Sequence, residues 1–251
     1  MPRVMLITAY DGTNYNGSAY QPEAVTIEGM LRRAIKGLTG EEKELIGASR
    51  TDAGVHACGN LFVFDTDSTI PPDKFSYALN SMLPDDIRIM KSMEVDSSFH
   101  PRHCNTIKTY QYRIWNDDVM LPVKRLYAWH CSFDLDLNKM QKAGHYLEGT
   151  HDFTSFCNTA TQTPDHVRTV YSVNVFKEDK EVVIEVKGKG FLYNMVRIIA
   201  GTLVMIGRGK GEPEDIKKMI DANDRAAAGP TAPANGLCLM KYEFPDKEIE
   251  F

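Results

Sequence analysis

The chain has 251 residues, of which 43% are hydrophobic and 25% charged, and its formal net charge is −5. This composition is typical of an ordinary globular protein that is long enough for two domains, each with its own core. The N-terminus lacks a cationic segment followed by an apolar run, and no window approaches eighteen uninterrupted apolar residues. We therefore expect neither a signal peptide nor a membrane span, and we expect a cytoplasmic protein.

The first half contains four strand-like runs and two helical patterns. The predicted strands are 3–10, 60–66, 86–95 and 106–115. An amphipathic helix is predicted at 26–38, because Thr26 is a good N-cap and the apolar residues after it recur on one helical face. A second helix is predicted at about 73–83, where Pro71 and Pro72 precede the first turn.

The second half repeats this alternation. Its predicted elements are a helix at 137–148, a hairpin of strands 167–177 and 181–188, a long helix at 190–206, a short helix opened by Pro213, and a last strand at 237–244. Strands that pair directly with strands indicate an α+β fold of mixed or antiparallel sheets with helices on one face. We predict two similar lobes, 1–116 and 117–251, joined near 116–136, with a ligand cleft between them.

The stretch "GASRTDAGVHA" at 47–57 places one carboxylate, Asp52, and one guanidinium, Arg50, among very small residues. Small residues allow a backbone or a flat ligand to approach closely. Asp and Gly are also ordinary turn residues, so this stretch alone favours a surface turn.

Two tracts without acids stand out in this acidic chain. Residues 97–116 interleave Arg102, Lys108 and Arg113 with four aromatic residues. Residues 186–211 carry five bases: Lys187, Lys189, Arg197, Arg208 and Lys210. Such tracts indicate an electropositive face suited to a polyanion, although solvated lysines on ordinary elements would give the same pattern. Arg197 falls within an apolar helical run, where it must meet an anion or extend to water.

Motifs for metals and nucleotides are weak. The five cysteines occur singly, without a C-x-x-C pair, which predicts reduced thiols rather than disulfides or a zinc site. His100, His103 and Cys104 could form one corner of a metal site, but no second cluster has ligand spacing. The glycines near residue 209 do not form a G-x-x-x-x-G-K-[ST] loop. We therefore expect neither a metal nor a cofactor.

The ordered motifs of the chain resemble the tRNA pseudouridine synthase A (TruA) family. The motifs are "YDGTNYNG", "GASRTDAGVHA", "KTYQYRIWN", "HDFTSFCN", "RTVYSVNV", "GFLYNMVRIIAGTLVMIGRG" and "APANGLCLMKYEF", and they cover almost the whole chain. The resemblance implies two α+β lobes around a basic cleft. It also implies a homodimer that acts on the anticodon stem-loop of tRNA, at positions 38–40.

The resemblance also implies roles for individual residues. Asp52 matches the catalytic aspartate, Tyr110 the active-site tyrosine, and Arg197 the arginine that pairs with the aspartate. Arg50 matches an arginine two residues before the nucleophile, and Leu237 matches an apolar residue of the uracil pocket. We place Lys187, Lys189, Arg208 and Lys210 among the substrate-binding residues. The family usually has an aromatic residue and a glutamine after "YDGTNYNG", whereas Ser18, Ala19 and Tyr20 precede Gln21 here, so the RNA contacts of this loop stay open.

The chemistry fits these residues. Conversion of uridine to pseudouridine breaks the N1–C1′ bond and joins C5 to the same C1′, which needs no redox cofactor. A carboxylate can attack C1′, add to C6 of the base, or assist glycal formation, and the sequence does not choose among these. Two other functions stay open. One is a non-catalytic RNA-binding module, and the other is a metal-dependent hydrolase built from Asp65, Asp67, Asp85 and Asp86.

Overall fold

We describe the fold from a computed structural model, in which residues 1–161 and 163–246 are described. These residues form ten strands and five α-helices, which do not alternate regularly. The strands are β1 (Arg3–Tyr10), β2 (Ile46–Gly47), β3 (His56–Asp65), β4 (Ile87–Val95), β5 (Ile107–Trp115), β6 (Trp129–His130), β7 (Gly149–Asp152), β8 (Val167–Glu178), β9 (Glu181–Gly188) and β10 (Leu237–Glu243). The helices are α1 (Ile27–Thr39), α2 (Phe75–Asn80), α3 (Leu137–His145), α4 (Met195–Gly207) and α5 (Asp215–Ala222).

The chain divides into two compact units. Unit 1 consists of Met1–Asn105 together with the C-terminal residues from Leu239, and unit 2 consists of Thr106–Cys238. The predicted lobes, 1–116 and 117–251, remain a prediction, and the compact units divide the chain at different places. Strand β5 falls in unit 2 because it pairs along its length with β9. Most of β10 falls in unit 1, where its neighbour is β3.

Unit 1 is built on a sheet with the strand order β4-β1-β3-β10, and β2 adds to β3. Strand β1 is antiparallel to both β3 and β4. Helix α1 begins where the Thr26 hydroxyl accepts a hydrogen bond from the Gly29 amide (3.2 Å), a cap that typically contributes about 1 kcal/mol. Its apolar face, with Ile27 and Leu31, is fully buried in the core of this unit.

Unit 2 is built on a sheet with the order β5-β9-β8-β7, in which each neighbouring pair is antiparallel. Helix α4 is buried along most of its length, including Ile198, Ile199 and Leu203. Because α4 is apolar nearly all round, it belongs to the interior of the unit rather than to its surface.

The predicted α+β class is confirmed, as are most of the predicted strands and helices. Three helix predictions were wrong in extent. The helix predicted at 137–148 is α3, which ends at His145. The helix predicted at 190–206 begins at Met195, because Asn194 adopts a left-handed conformation (φ 61°) that a helix interior excludes. The helix predicted at 73–83 is a short 3-10 turn at Pro72–Lys74 followed by α2, which ends at Asn80.

Candidate active site

In unit 1, Asp52 lies in the loop between β2 and β3. The loop turns at once after it, because the Asp52 carbonyl accepts a hydrogen bond from the Val55 amide (3.1 Å). The Asp52 side chain is half-buried, whereas Arg50 is exposed. The stretch is therefore a turn, as its composition predicts. Asp52 lies in this turn and is partly shielded from solvent.

A buried network of polar side chains holds this loop against the rest of unit 1. The Ser18 hydroxyl accepts a hydrogen bond from the Thr51 amide (2.8 Å) and donates one to the Ser49 carbonyl (3.3 Å). The Thr51 hydroxyl is 2.8 Å from the Tyr10 hydroxyl, which in turn accepts from Asn60 (3.0 Å). Ser18 is 1% exposed and Asn60 is fully buried. Ser49 and Thr51, which flank Arg50, are thus fixed by side chains of the sheet and of the first loop, which joins β1 to α1 (residues 11–26).

The backbone of the first loop also touches the Asp52 loop. The Ser18 amide donates to the Thr51 carbonyl (3.0 Å). Gly17 has φ 90°, and a Cβ atom there would lie 2.6 Å from the Thr51 carbonyl oxygen. Only glycine allows this approach, so the glycine that closes "YDGTNYNG" places the first loop directly against the Asp52 loop.

In unit 2, Tyr110 lies in the middle of β5, opposite Val186 of β9. It is 7% exposed, and its ring packs edge-on against Phe191 with 5.2 Å between centroids. The helix predicted at 190–206 would carry Phe191 on its apolar face, but this prediction was wrong because Phe191 lies before the start of α4. Sequence reasoning missed Phe191 as a partner of Tyr110, and its only signal was its place in the "GFLYN" motif.

Arg197 lies in the first turn of α4 and binds the segment that leads to β10. Its Nε donates to the Ala232 carbonyl (2.8 Å), its Nη1 donates to Asn194 Oδ1 (3.0 Å), and its own carbonyl accepts from the Ala232 amide (3.1 Å). The guanidinium is half-buried. Arg197 thus fixes residue 232 through both its backbone and its side chain, and this role is visible only in the structure.

Tyr112 holds the next residue of the same segment. Its hydroxyl donates to the Pro233 carbonyl (2.7 Å), and burial raises the pKa of Tyr112 far above its ordinary value, against the opposing effect of the Arg197 charge. Four residues later, Leu237 begins β10 and is buried. Within unit 2, Arg197 and Tyr112 therefore both bind the short segment that precedes Leu237.

The predicted basic residues are not gathered at one point. Lys187 is half-buried in β9 and Lys189 is exposed just after it. Arg208 caps the C-terminal end of α4 and Lys210 follows, so the length of α4, about 20 Å, separates these two bases from the start of the helix. The Arg208 guanidinium lies 3.6 Å from the centre of the Phe133 ring. The four residues therefore lie on or beside different elements of unit 2.

The first acid-free tract is also less positive than its sequence indicates. Arg113 forms ion pairs with Glu178 of β8 (2.9 Å) and Glu181 of β9 (2.7 Å). Arg102 donates to the Gly47 carbonyl (2.7 Å) and so holds β2. Glu178 and Glu181, on neighbouring strands, therefore neutralise Arg113, although Arg113 lies in an acid-free stretch of the sequence.

Three of the four acids of the hydrolase alternative serve separate contacts in unit 1. Asp65 binds Arg3 through two hydrogen bonds of 2.8 Å, Asp85 pairs with Arg88, and Asp86 accepts from the Tyr15 hydroxyl (2.6 Å). His100 and His103 stack on each other with 3.9 Å between ring centres. Within residues 1–161 and 163–246, no group of three or more His, Cys, Asp or Glu residues is arranged to hold a metal ion. No helix in the same part of the chain is both long and apolar enough to cross a bilayer.

A family model described as tRNA pseudouridine synthase matches residues 6–103 and 143–245. The chain belongs to the tRNA pseudouridine synthase family. Three similar proteins carry the name tRNA pseudouridine synthase A. That of Acetivibrio thermocellus is 50% identical over 244 residues, and that of Brevibacillus brevis is 48% identical over 244 residues; both alignments cover 97% of this chain and 100% of the relative. That of Thermoanaerobacter sp. is 46% identical over 241 residues, which is 96% of this chain and 99% of the relative.

The resemblance inferred from the ordered motifs is therefore confirmed. This tRNA pseudouridine synthase is an isomerase that converts uridine to pseudouridine. Asp52, Arg197 and Leu237 lie inside the segments that the family model matches, whereas Tyr110 lies between those segments.

Proposed function

We propose that this pseudouridine synthase modifies the anticodon stem-loop of tRNA, at positions 38–40, with Asp52 as the catalytic carboxylate and without a cofactor. Tyr110 contacts the uracil ring, Arg197 pairs with Asp52, and Arg50 and Leu237 contact the substrate. Lys187, Lys189, Arg208 and Lys210 bind its phosphates. The enzyme works as a homodimer in the cytoplasm. Family membership and the match of each residue to a family motif support this proposal.

The setting of Asp52 is the observation that carries the mechanism. A carboxylate that reacts with a sugar or a base must be ionised, partly shielded from water and fixed in direction. Asp52 is half-buried, and the residue before it is held by Ser18 and Tyr10. A cation beside a carboxylate favours its ionised form, which is the role we give to Arg197. The target uridine must leave its stack to reach this position, at a cost of a few kcal/mol that is smallest in loops and at stem ends.

The bond changes require no electron donor or acceptor. The N1–C1′ bond breaks, the base turns, a C5–C1′ bond forms, and the proton on C5 is lost while N1 gains one. Asp52 attacks C1′, adds to C6 or assists glycal formation, and all three routes need its ionised carboxylate. Tyr110 provides a flat face for the base and a hydroxyl that can transfer the C5 proton.

Asp52→Asn tests this mechanism. We expect turnover to disappear, measured as tritium release from tRNA labelled at C5 of uridine, while the Kd for tRNA stays within a few-fold, because phosphate contacts supply most of the affinity. Asp65→Asn is the matched control, since it removes an ion-paired carboxylate of the same unit and should leave turnover intact. Substantial turnover by Asp52→Asn would contradict the mechanism, and loss of turnover in Asp65→Asn alone would show that the reactive carboxylate is assigned to the wrong residue.

The site in tRNA is tested separately. Pseudouridines are mapped in tRNA from cells that lack this protein and from cells that express it. We expect modification at positions 38–40 only in the expressing cells, and modification elsewhere would contradict the anticodon assignment.

A further inference from the structure

A pocket of about 510 Å³ lies in unit 1 beside helix α1. One wall is a single face of the helix, because its lining residues recur at intervals of three and four. These residues are Thr26, Gly29, Met30, Arg33 and Lys36. Arg32 at the edge of this face, residues 20–22, 24 and 25, and residues 42–44 complete the lining. This volume falls in the range of about 300–1,000 Å³ that is usual for ligand pockets.

Tyr20 is held in this pocket by its neighbours. Its amide donates to Glu28 Oε2 (3.2 Å), and the Arg32 guanidinium lies 4.5 Å from the centre of its ring. Arg32 is fixed in turn by two hydrogen bonds to Glu28 Oε1 (3.0 and 2.6 Å). A Cβ atom at Gly29 would lie 3.7 Å from the Tyr20 ring, an ordinary van der Waals distance, so the ring lies close against the helix at this residue. The orientation of Tyr20 is therefore set before any ligand binds.

The chemistry of the pocket suits a nucleotide. Tyr20 lines the pocket and remains 48% exposed, so a large part of the ring is available for stacking. Four basic residues line the pocket against two acidic ones: Arg32, Arg33, Lys36 and Lys43 against Glu42 and Glu44. Arg33 is exposed on the helix face that forms the wall. A fixed aromatic ring beside an exposed guanidinium is the combination with which proteins bind unpaired nucleotides, through base stacking and a phosphate contact.

The pocket is close to the Asp52 loop within the same unit. Gly17 and Ser18 contact the backbone of Thr51, and Tyr20 follows Ser18 by two residues. Three residues of chain reach no more than about 11 Å, so this is the largest separation between the Cα atoms of Gly17 and Tyr20. A single RNA strand can span that distance within a few nucleotides. The segment Ser18–Tyr20, where the chain departs from the usual family pattern, therefore connects the Asp52 loop to the pocket.

We propose that this pocket binds an unpaired nucleotide of the RNA substrate, whose base stacks on Tyr20 and whose phosphate contacts Arg33. The inference rests on the proposed function, because it assumes that the target uridine is delivered to Asp52. It adds a second point of RNA contact in unit 1, away from the reacting base. Its contribution is to affinity and to the choice of substrate, and it takes no part in the bond changes.

Tyr20→Ala, Tyr20→Phe and Arg33→Ala test this site in the full-length enzyme. We expect Tyr20→Ala to weaken tRNA binding roughly 5- to 150-fold, the equivalent of one lost stacking contact, with the turnover number at saturating tRNA unchanged. Tyr20→Phe should bind like the unmodified enzyme, because stacking requires the ring and not the hydroxyl. Arg33→Ala should reduce the slope of log K against log salt concentration by about 0.7, the value of one phosphate contact on a single strand. Tyr77→Ala is the matched control, since Tyr77 of α2 is an exposed tyrosine whose ring also lies near a cation, the Lys74 ammonium.

The outcomes separate this proposal from the mechanism. If Tyr20→Ala binds tRNA as tightly as Tyr77→Ala while Asp52→Asn is inactive, the nucleotide site is refuted and the mechanism stands. If Asp52→Asn turns over normally, the mechanism fails, whatever the affinity of Tyr20→Ala. A loss of affinity in Tyr20→Phe equal to that in Tyr20→Ala would also overturn the stacking argument, because it would assign the effect to the hydroxyl.

Discussion

Replacement of Ser18 by alanine tests whether the Asp52 loop must be held in place for catalysis. The change removes a hydroxyl that is 1% exposed and leaves the Thr51 amide without the acceptor it has at 2.8 Å. The Ser49 carbonyl keeps a second donor, Asn60 Nδ2 at 3.0 Å. One buried amide therefore loses its acceptor, which costs about 1–3 kcal/mol. For a chain of this length we expect the Tm to fall by roughly 2–12 °C.

The effect on turnover should exceed the effect on stability. Asp52 follows Thr51 directly, and a displacement of about 1 Å at a reacting group can reduce the rate about 100-fold. We expect kcat to fall about 10- to 100-fold at a temperature where the variant is folded, with the Kd for tRNA changed less than about three-fold. Single-turnover rates, filter binding and thermal unfolding measure the three quantities on the same preparation.

Ser92→Ala is the matched control for this experiment. Ser92 is also a buried serine of unit 1, and its hydroxyl accepts from the Ser76 amide (2.9 Å), a contact between α2 and β4. Both variants remove one acceptor from one buried amide, so their losses of Tm should be similar. Equal kcat values for Ser18→Ala and Ser92→Ala would refute the argument that Ser18 positions the Asp52 loop.

The remaining predictions concern unit 2. Arg197→Ala should reduce turnover by at least about 100-fold and move the acidic limb of the pH–rate profile to higher pH, because a carboxylate without its cation is protonated more readily. Arg197→Lys should restore only part of the rate, since an ammonium lacks the planar fork, and near-normal rates in both variants would contradict the proposed pairing. Glu181 is 5% exposed; burial opposes its ionisation, but hydrogen bonds from Lys124 and Arg113 hold its pKa below the ordinary 4.5. A carboxylate with a lowered pKa in the folded state stabilises the fold fully above its ordinary pKa, and this stabilisation is lost as the pH falls through the lowered pKa. Glu181→Gln should therefore reduce the free energy of unfolding by about 1–3 kcal/mol at pH 7, and this difference should shrink below about pH 4.5. A difference in unfolding free energy that stays constant from pH 7 to pH 3 would contradict this account.

Local patterns were sufficient for much of the fold. Residues 3–10 were predicted as a strand and form β1, and the Thr26 cap with its apolar periodicity predicted α1 to within a residue at each end. The hairpin of β8 and β9 was predicted almost to its observed ends. These predictions succeed because side-chain periodicity and capping depend on residues that are near each other in the sequence.

Other features are not signalled by side-chain periodicity or composition. The start of α4 at Met195 depends on the left-handed backbone of Asn194, and no periodicity in the sequence signals it. The last strand was predicted as an element, but its place beside β3 is a long-range pairing that composition does not encode. Charge behaves in the same way, because the acids that neutralise Arg113 come from β8 and β9.

For the site, the sequence by itself determined the family and predicted which residues carry the chemistry. The ordered motifs identified the family and singled out Asp52, Tyr110 and Arg197, because reactive side chains and their neighbouring residues are written directly in the chain. Only the tertiary structure decided how these groups are held. It showed Ser18 on the Thr51 amide, Phe191 against the ring of Tyr110, and Arg197 on the carbonyl of Ala232. These contacts join residues from 33 to 81 positions apart, and such pairings are set by the packing of sheets and helices rather than by any local pattern.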